Sequence, residues 1–263
     1  MNNSLYVCYS SGIGEELAHA FAQDKVSLVL IARDEERLDK VAKECKQLGS
    51  PNVKVVQLDI TDTQAISTVL SEKIIEYNVD LFIANAGIAF IPETHLLDQA
   101  QDVFKLNALG TIACIETVYK SMKQRGRGGQ IAAVSSGGVF FAPPYMLAYT
   151  ASKAAVMSYC RDLRILGQDD GILINTIAPG YIDTPMTSVL PKQVGFLHLD
   201  AKKHGRQVKQ ALEADVPLIM YPTHQYIALA LASSLPPSVK LFLARITHFV
   251  ADHVFRDRYK VDK

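Results

Sequence analysis

The sequence predicts an α/β protein with a doubly wound parallel sheet and helices on both faces. Three features carry that expectation. Short apolar runs alternate with charged, amphipathic stretches along most of the chain, a Gly-bearing turn follows the first apolar run and opens a helix, and several apolar runs end in polar residues or glycine. Such alternation implies parallel strands joined by crossover helices that cover the sheet on both sides. In sheets of this kind ligands sit at the carboxyl ends of the strands, so the residues that terminate each apolar run are the first candidates for a site.

Composition sets the outer limits. The chain has 263 residues, 49% of them hydrophobic, enough for a sizeable core and for one large domain. Lys+Arg and Asp+Glu both total 27, so no net charge marks a nucleic-acid partner. Cys8, Cys45, Cys114 and Cys160 are widely spaced, without a CxxC pair, and read as reduced thiols of a cytoplasmic protein. His224, His248 and His253 are scattered, and no metal is expected. The N-terminus has no basic start followed by a long apolar stretch, and no apolar run reaches the roughly 18 residues of a membrane span.

Taken in order, residues 4–38 read as strand, turn, helix and strand. The turn holds Ser10, Ser11, Gly12, Ile13 and Gly14. A helix that starts there directs unpaired N–H groups and the positive end of its dipole at the turn, which suits a phosphate. The two serines add donors and the two glycines allow close backbone approach, although an isolated turn of this type also occurs without a ligand. The second strand ends at Ala32 and Arg33, nineteen residues beyond Gly14, where dinucleotide folds read the adenosine ribose. A guanidinium there suits a 2′-phosphate, so NADP(H) is expected over NAD(H), with Asp34 next to it as the complication. The alternative for Arg33 is a solvated start to the charged helix at 34–48.

A third strand over 53–61 ends at Asp59 and Ile60, a helix follows at 63–77, and a fourth strand breaks at Asn85, Ala86 and Gly87. Residues 96–124 read as one helix with Asn107 near the middle, where a poor helix former that can bond backbone can mark a local distortion, although an asparagine in a helix is more often polar surface. The next apolar run, 130–134, leads into Ser135 and Ser136. Tyr149 and Lys153 then follow at i and i+4 of a helix and share a face. A nearby ammonium favours phenolate, so Lys153 is expected to lower the pKa of Tyr149 and make it a general acid or base. Ser136 would supply a second donor for a substrate oxygen on which negative charge develops. A YxxxK pair alone recurs by chance on helix surfaces.

These residues together resemble the short-chain dehydrogenase/reductase family, whose members are single-domain Rossmann-type enzymes; the match runs from about Leu5 to Met186. The family's catalytic tetrad falls on Asn107, Ser136, Tyr149 and Lys153. The resemblance implies that Tyr149 exchanges the proton, Ser136 orients the substrate oxygen, Lys153 also binds the nicotinamide ribose, and Asn107 supports a relay water. ANAG at 84–87 is similar to the family's NNAG element, with Ala84 in place of the first Asn. LDIT around Asp59 is similar to the adenine-contacting segment, and NTIAPGYIDTPM, 175–186, to the stretch in which Pro179, Gly180, Ile182 and Thr184 hold the nicotinamide end. One departure stands in the first turn: Cys8 replaces the family's first glycine and Tyr9 a small residue. A Cβ penalises positive φ, so weaker cofactor binding is expected.

The resulting expectation is an NADP(H)-dependent oxidoreductase interconverting a carbonyl and a secondary alcohol on a small molecule. The chain reads as one domain, 1–263. Residues 1–185 form the cofactor-binding and catalytic core, 186–222 a substrate loop, helix and last strand, and 223–263 an amphipathic helical extension. Val239, Phe242, Ile246, Phe249, Val250 and Phe255 recur there at near-helical spacing, flanked by Lys240, Arg245, Arg256, Arg258 and Lys260. That face is expected to pack on the body of the protein, on a partner subunit or over the substrate, with peripheral contact to a membrane as the alternative. The family's habit of pairing subunits through the helices of Asn107 and Tyr149 implies a homodimer or homotetramer. Two other readings stay open, a non-catalytic or weakly active protein of this fold that senses nucleotide or serves as a scaffold, and a membrane-peripheral reductase of lipid-like substrates.

Overall fold

Along each central strand the side chains alternate between two cores, as a period of two dictates. Val29, Ile31, Phe82, Ala84, Ile131 and Ala133 enter one, while Leu28, Leu30, Ile83, Ala132 and Val134 enter the other. A sheet apolar on both faces needs helices on both. In the computed structural model the described residues are 4–8, 12–90, 96–140, 146–187 and 200–222, with a few between 235 and 246. The elements are β1 (Ser4–Cys8), α1 (Ile13–Gln23), β2 (Ser27–Ala32), α2 (Glu35–Gln47), β3 (Val53–Gln57), α3 (Thr63–Ala65), α4 (Ser71–Glu76), β4 (Val79–Ala84), α5 (Leu96–Phe104), α6 (Thr111–Arg125), β5 (Gly129–Val134), α7 (Leu147–Asp169), β6 (Ile172–Ile177), α8 (Ala201–Glu213) and β7 (Leu218–Ile219).

The strands form one sheet in the order β3-β2-β1-β4-β5-β6-β7, every pair parallel. The direction of winding reverses between β1 and β4, and the crevice outside their carboxyl ends is where a ligand fits. Leu17, Phe21, Leu38, Val41, Val208 and Leu212, from α1, α2 and α8, fill the core on one face. Ile66, Leu70, Ile74, Ile115, Val118, Met122, Val156 and Cys160 fill the other. Cys45, Cys114 and Cys160 are buried, unbridged thiols in these cores, and burial pushes Cys45 and Cys160 up to about 12.

Three elements refine the sequence reading. The stretch 96–124 is one continuous rod in which Lys105–Gly110 is π-helical, so the distortion expected at Asn107 is real. Gly110 permits it by pressing against β3's exit, where a Cβ would stand 2.3 Å from the carbonyl oxygen of Ile60. The helix at 63–77 carries a second π-turn at Ile66–Leu70, which the sequence pattern does not announce. The last strand, expected over 216–224, shrinks to Leu218–Ile219 because Pro217 and Pro222 bracket it without N–H groups. Pairing toward β6 nevertheless continues outside it, from Thr176 N to Pro217 O at 2.9 Å and from Gly180 N to Tyr221 O at 3.0 Å.

Most of the expected C-terminal extension lies outside the described residues, Phe249, Val250 and Phe255 included. Of its apolar face, Val239, Phe242 and Ile246 are described, and they are exposed by 39%, 63% and 44%, so the packing on the body expected for this face is not found at them. Among the described residues no helix is long and apolar enough to cross a membrane.

Candidate active site

The site is assembled by hydrogen bonds that tie three chain segments to the end of β5. Lys153, 2% exposed on α7, donates from Nζ to the carbonyl oxygen of Val134 at 2.9 Å. Ser135 returns the link, its Oγ donating to the Lys153 carbonyl at 2.8 Å. These paired bonds set β5 and α7 in register and bring Ser136, the next residue, beside Tyr149. The Tyr149 phenol is hydrogen-bonded to Ser136, whose Oγ also accepts from Gly138 N at 3.1 Å. The π-helical turn delivers the fourth member. Asn107, fully buried, accepts from Ile88 N and donates to Ile88 O, both at 2.8 Å, and donates to Ser152 Oγ at 3.2 Å. Ser152 passes the link on by donating to the Tyr149 carbonyl at 2.7 Å.

Lys153 and Asn107 converge on Gly87. A Cβ there would lie 3.1 Å from Lys153 Nζ and 3.5 Å from Asn107 Oδ1, so glycine leaves the ammonium its space. Electrostatics depart from the expectation of a lowered Tyr149. Burial raises the phenol above its usual value despite the Ser136 bond, and burial lowers Lys153 to about 8. The reason is geometric: the ammonium is bonded to Val134, and both groups are withdrawn from water, which disfavours phenolate and ammonium alike.

Around this cluster the other candidates line the carboxyl edge of the sheet. Gly12, at φ +61, caps α1, and a Cβ on it would stand 2.7 Å from the Thr184 methyl, so only glycine fits. Ile13 and Gly14 begin α1, with Gly14 buried. Ser10, Ser11 and Tyr9 lie outside the described residues, as does the side chain of Cys8. Asn85 is buried just after β4. Pro179 accepts from Gly137 N at 2.8 Å, which joins the exits of β5 and β6. Gly180 is held by Tyr221, and Ile182 is buried. Thr187, which the motif comparison passed over by one residue, donates to Ile182 O at 2.6 Å and accepts from Thr184 N at 3.0 Å, fixing the turn that carries Thr184.

A separate cavity of about 180 Å³ opens at the exits of β2, β3 and β4. Arg33, Arg37, Asp59, Ile60, Ala86 and Gly87 are among its lining residues. Arg33 is 62% exposed and reaches Asp59 at 3.9 Å, while Asp59 also accepts from Thr61 N at 2.8 Å. Asp34 also lines the cavity, and it caps α2, its Oδ1 accepting from Arg37 N at 3.0 Å. Arg37 is the residue here that the sequence reading missed, although a capped helix start after Arg33 places it one turn into α2.

A parallel sheet wound in this order, with a glycine-capped first helix at its switch point, is the Rossmann-type architecture of dinucleotide-binding folds. The family model described as short chain dehydrogenase matches residues 2–195, and the chain belongs to the short-chain dehydrogenase/reductase family. It is 33% identical over 183 residues to 11-beta-hydroxysteroid dehydrogenase 1A of Arabidopsis thaliana, covering 68% of this chain and 51% of that protein. To the mitochondrial (-)-isopiperitenol/(-)-carveol dehydrogenase of Mentha piperita it is 32% identical over 186 residues, 69% of each. The chain thus spans about half the length of the hydroxysteroid dehydrogenases it matches. Among solved structures, an alcohol dehydrogenase from Thermococcus sibiricus complexed with 5-hydroxy-NADP superposes with a TM-score of 0.72 at 26% identity, over 83% of this chain and 94% of that one.

Proposed function

We propose that the chain is an NADP(H)-dependent oxidoreductase that interconverts a carbonyl and a secondary alcohol, with Tyr149 as general acid and base. The observation that carries this reading is the convergence of Tyr149, Ser136, Lys153 and Asn107 through the Val134, Ile88 and Ser152 links. The residues present fit a nicotinamide dinucleotide: Gly12 accepts no side chain, and Gly87 keeps the space in front of Lys153 clear. Gly12, Ile13 and Gly14, with Ser10 and Ser11, would hold the pyrophosphate, and Asp59 and Ile60 the adenine. Asn85, Ala86 and Gly87 would border the ribose side, Tyr149 and Lys153 would hold the nicotinamide ribose, and Pro179, Gly180, Ile182 and Thr184 the nicotinamide end. When bound, the dinucleotide supplies or accepts the hydride.

The chain's own residues manage the proton and the charge. In the reduction direction Tyr149 Oη donates its proton to the substrate oxygen, and Ser136 Oγ donates a hydrogen bond to the same oxygen as charge develops there. Burial keeps the phenol protonated at neutral pH, which suits a donor. In oxidation the same oxygen would receive the proton, which requires the phenolate that burial disfavours in the cofactor-free protein. Asn107 acts through position, holding Ile88 and, by way of Ser152, the Tyr149 turn.

NADP(H) is favoured over NAD(H) because Arg33 and Arg37 line the cavity at the β2 exit and Asp34 is engaged as a cap. The names of the hydroxysteroid and carveol dehydrogenases point to an apolar cyclic alcohol or ketone as the substrate class. Exposed Leu109, Leu147, Ile165 and Leu166 support self-association through the helices of Asn107 and Tyr149. We read 1–263 as one domain. Separate fluorescence titrations with NADPH and NADH, followed by turnover of a panel of cyclic secondary alcohols, test the proposal: tight NADPH, weak NADH and NADP⁺-dependent oxidation are expected. Dinucleotide binding without turnover would favour the nucleotide-sensing reading, and failure to bind either dinucleotide the scaffold reading, to which Cys8 and Tyr9 in the first turn lend weight. The exposed Val239, Leu241, Phe242 and Ile246 favour a membrane-peripheral form of the enzyme, which sedimentation with liposomes decides.

A further inference from the structure

We propose that Glu15, His19 and Glu44 form a divalent transition-metal site of the zinc class that clamps α1 to α2, on the opposite face of the sheet from α7. Glu15 and His19 are one turn apart on α1 and share a face, and Glu44 comes from the last turn of α2. One ligand atom from each residue lies within 4.8 Å of the others. His19 Nε2 and Glu44 Oε2 are 3.1 Å apart. Two ligands of a tetrahedral ion with bonds of about 2.0–2.1 Å are separated by about 3.3 Å, so small side-chain adjustments admit the ion. The second ring nitrogen, Nδ1, lies 3.9 Å from Glu16 Oε2, too far for a hydrogen bond, so Glu16 would have to move closer to orient a metal-bound imidazole.

Beside these groups a cavity of about 320 Å³ opens, lined by Glu16, His19, Glu44, Lys202 and Arg206 among others, with room for water as a fourth ligand. His19 is 18% exposed and Glu44 33%, so the ligands are partly withdrawn from water. Lys40, 3.9 Å from Glu44, and Lys202 and Arg206 of the cavity lining are the cations beside these carboxylates, and the ion would share the carboxylates with them. Nitrogen and carboxylate donors without a thiolate suit zinc or its neighbours rather than calcium or copper(I). The two helices so joined start at Gly12 and beside Arg33.

The test titrates zinc into the metal-stripped full chain against a chromogenic chelator, records the absorption of the cobalt-loaded protein, and follows thermal unfolding. One equivalent is expected to bind and to raise Tm by about 5 °C at a hundredfold excess over Kd. The cobalt spectrum should lack a thiolate charge-transfer band. His19→Gln and Glu44→Gln should each lose zinc affinity at least about tenfold, and Glu16→Gln about tenfold, with circular dichroism unchanged. Glu15→Gln replaces any of these that fails to fold. Absence of saturable zinc binding, variant titrations that superimpose on the wild type, or a thiolate band would overturn the site.

Discussion

Asn107 satisfies both backbone polar groups of Ile88 with one side chain, accepting from the N–H and donating to the carbonyl, each at 2.8 Å. The arrangement pins the exit of β4 to the π-helical turn, and through Ser152 it reaches Tyr149. Asn107→Leu should therefore unsatisfy two buried groups at once and destabilise the protein by about 2–5 kcal/mol. Asn107→Asp keeps the acceptor but loses the donor. It should cost activity more than stability if the Tyr149 turn is what Asn107 positions. Chemical denaturation read beside turnover separates the two losses.

Lys153 is held in a place that disfavours its own charge. With its pKa lowered to about 8 from an ordinary value of 10.5, the folded state binds fewer protons than the unfolded chain between those values. Stability from this group therefore rises as pH climbs through that window, and below it the buried ammonium costs about 3 kcal/mol. Lys153→Met should abolish turnover yet stabilise the cofactor-free protein at pH 7. The gain is about 1–2 kcal/mol once the lost bond to Val134 is counted. A denaturation series from pH 7 to about 10.5 should show the gain disappear at the alkaline end.

Arg33 and Arg37 are expected to act as a pair on a 2′-phosphate. Arg33→Ala should raise the Kd for NADPH by about tenfold or more and leave NADH nearly unchanged, since a charge-assisted bond is worth about 1.5–3 kcal/mol. Arg37→Ala should shift NADPH in the same direction. Equal losses for both dinucleotides would place the arginines in general electrostatics rather than in discrimination.

His204 sits 1% exposed on α8 with neither ring nitrogen hydrogen-bonded, packed edge-on to Tyr221 at 6.3 Å. Burial lowers it to about 4 from 6.5. The unfolded chain binds the extra proton between those values, so stability falls as pH drops from about 6.5 to 4, by up to about 3 kcal/mol. His204→Leu should flatten that acid limb while leaving NADPH binding intact, a result that urea midpoints at pH 7 and pH 4.5 would reveal.

Much of this was legible in the sequence, for physical reasons. Period-two strands buried on both faces read as continuous apolar runs, and several stopped before a polar residue, so β4 ended at Ala84, before Asn85, and β5 at Val134, before Ser135 and Ser136, as expected. The interior Asn107 pointed to a distortion but not to its π-helical form, and its side chain bonds Ile88 and Ser152 rather than the backbone of its own helix. What stayed hidden depends on contacts distant in the chain. Ser135 and Val134 fix Lys153 through bonds that no spacing encodes. The charge state of Tyr149 follows from burial, which the i, i+4 rule ignores. Arg37 lines the cavity only because α2 turns back toward β3, and Glu44 meets His19 across 25 residues.

In the proposed mechanism Tyr149 carries the proton, while most contacts to the dinucleotide come from other residues. Tyr149→Phe removes one oxygen and leaves the ring, so it should bind NADPH within about twofold of the wild type and lose turnover by about 10²–10⁴-fold. Both numbers come from one preparation, by fluorescence titration and by steady-state oxidation of the alcohol that the wild type turns over best. Intact NADPH binding with turnover lost is the expected result, and turnover retained with intact binding would contradict the mechanism.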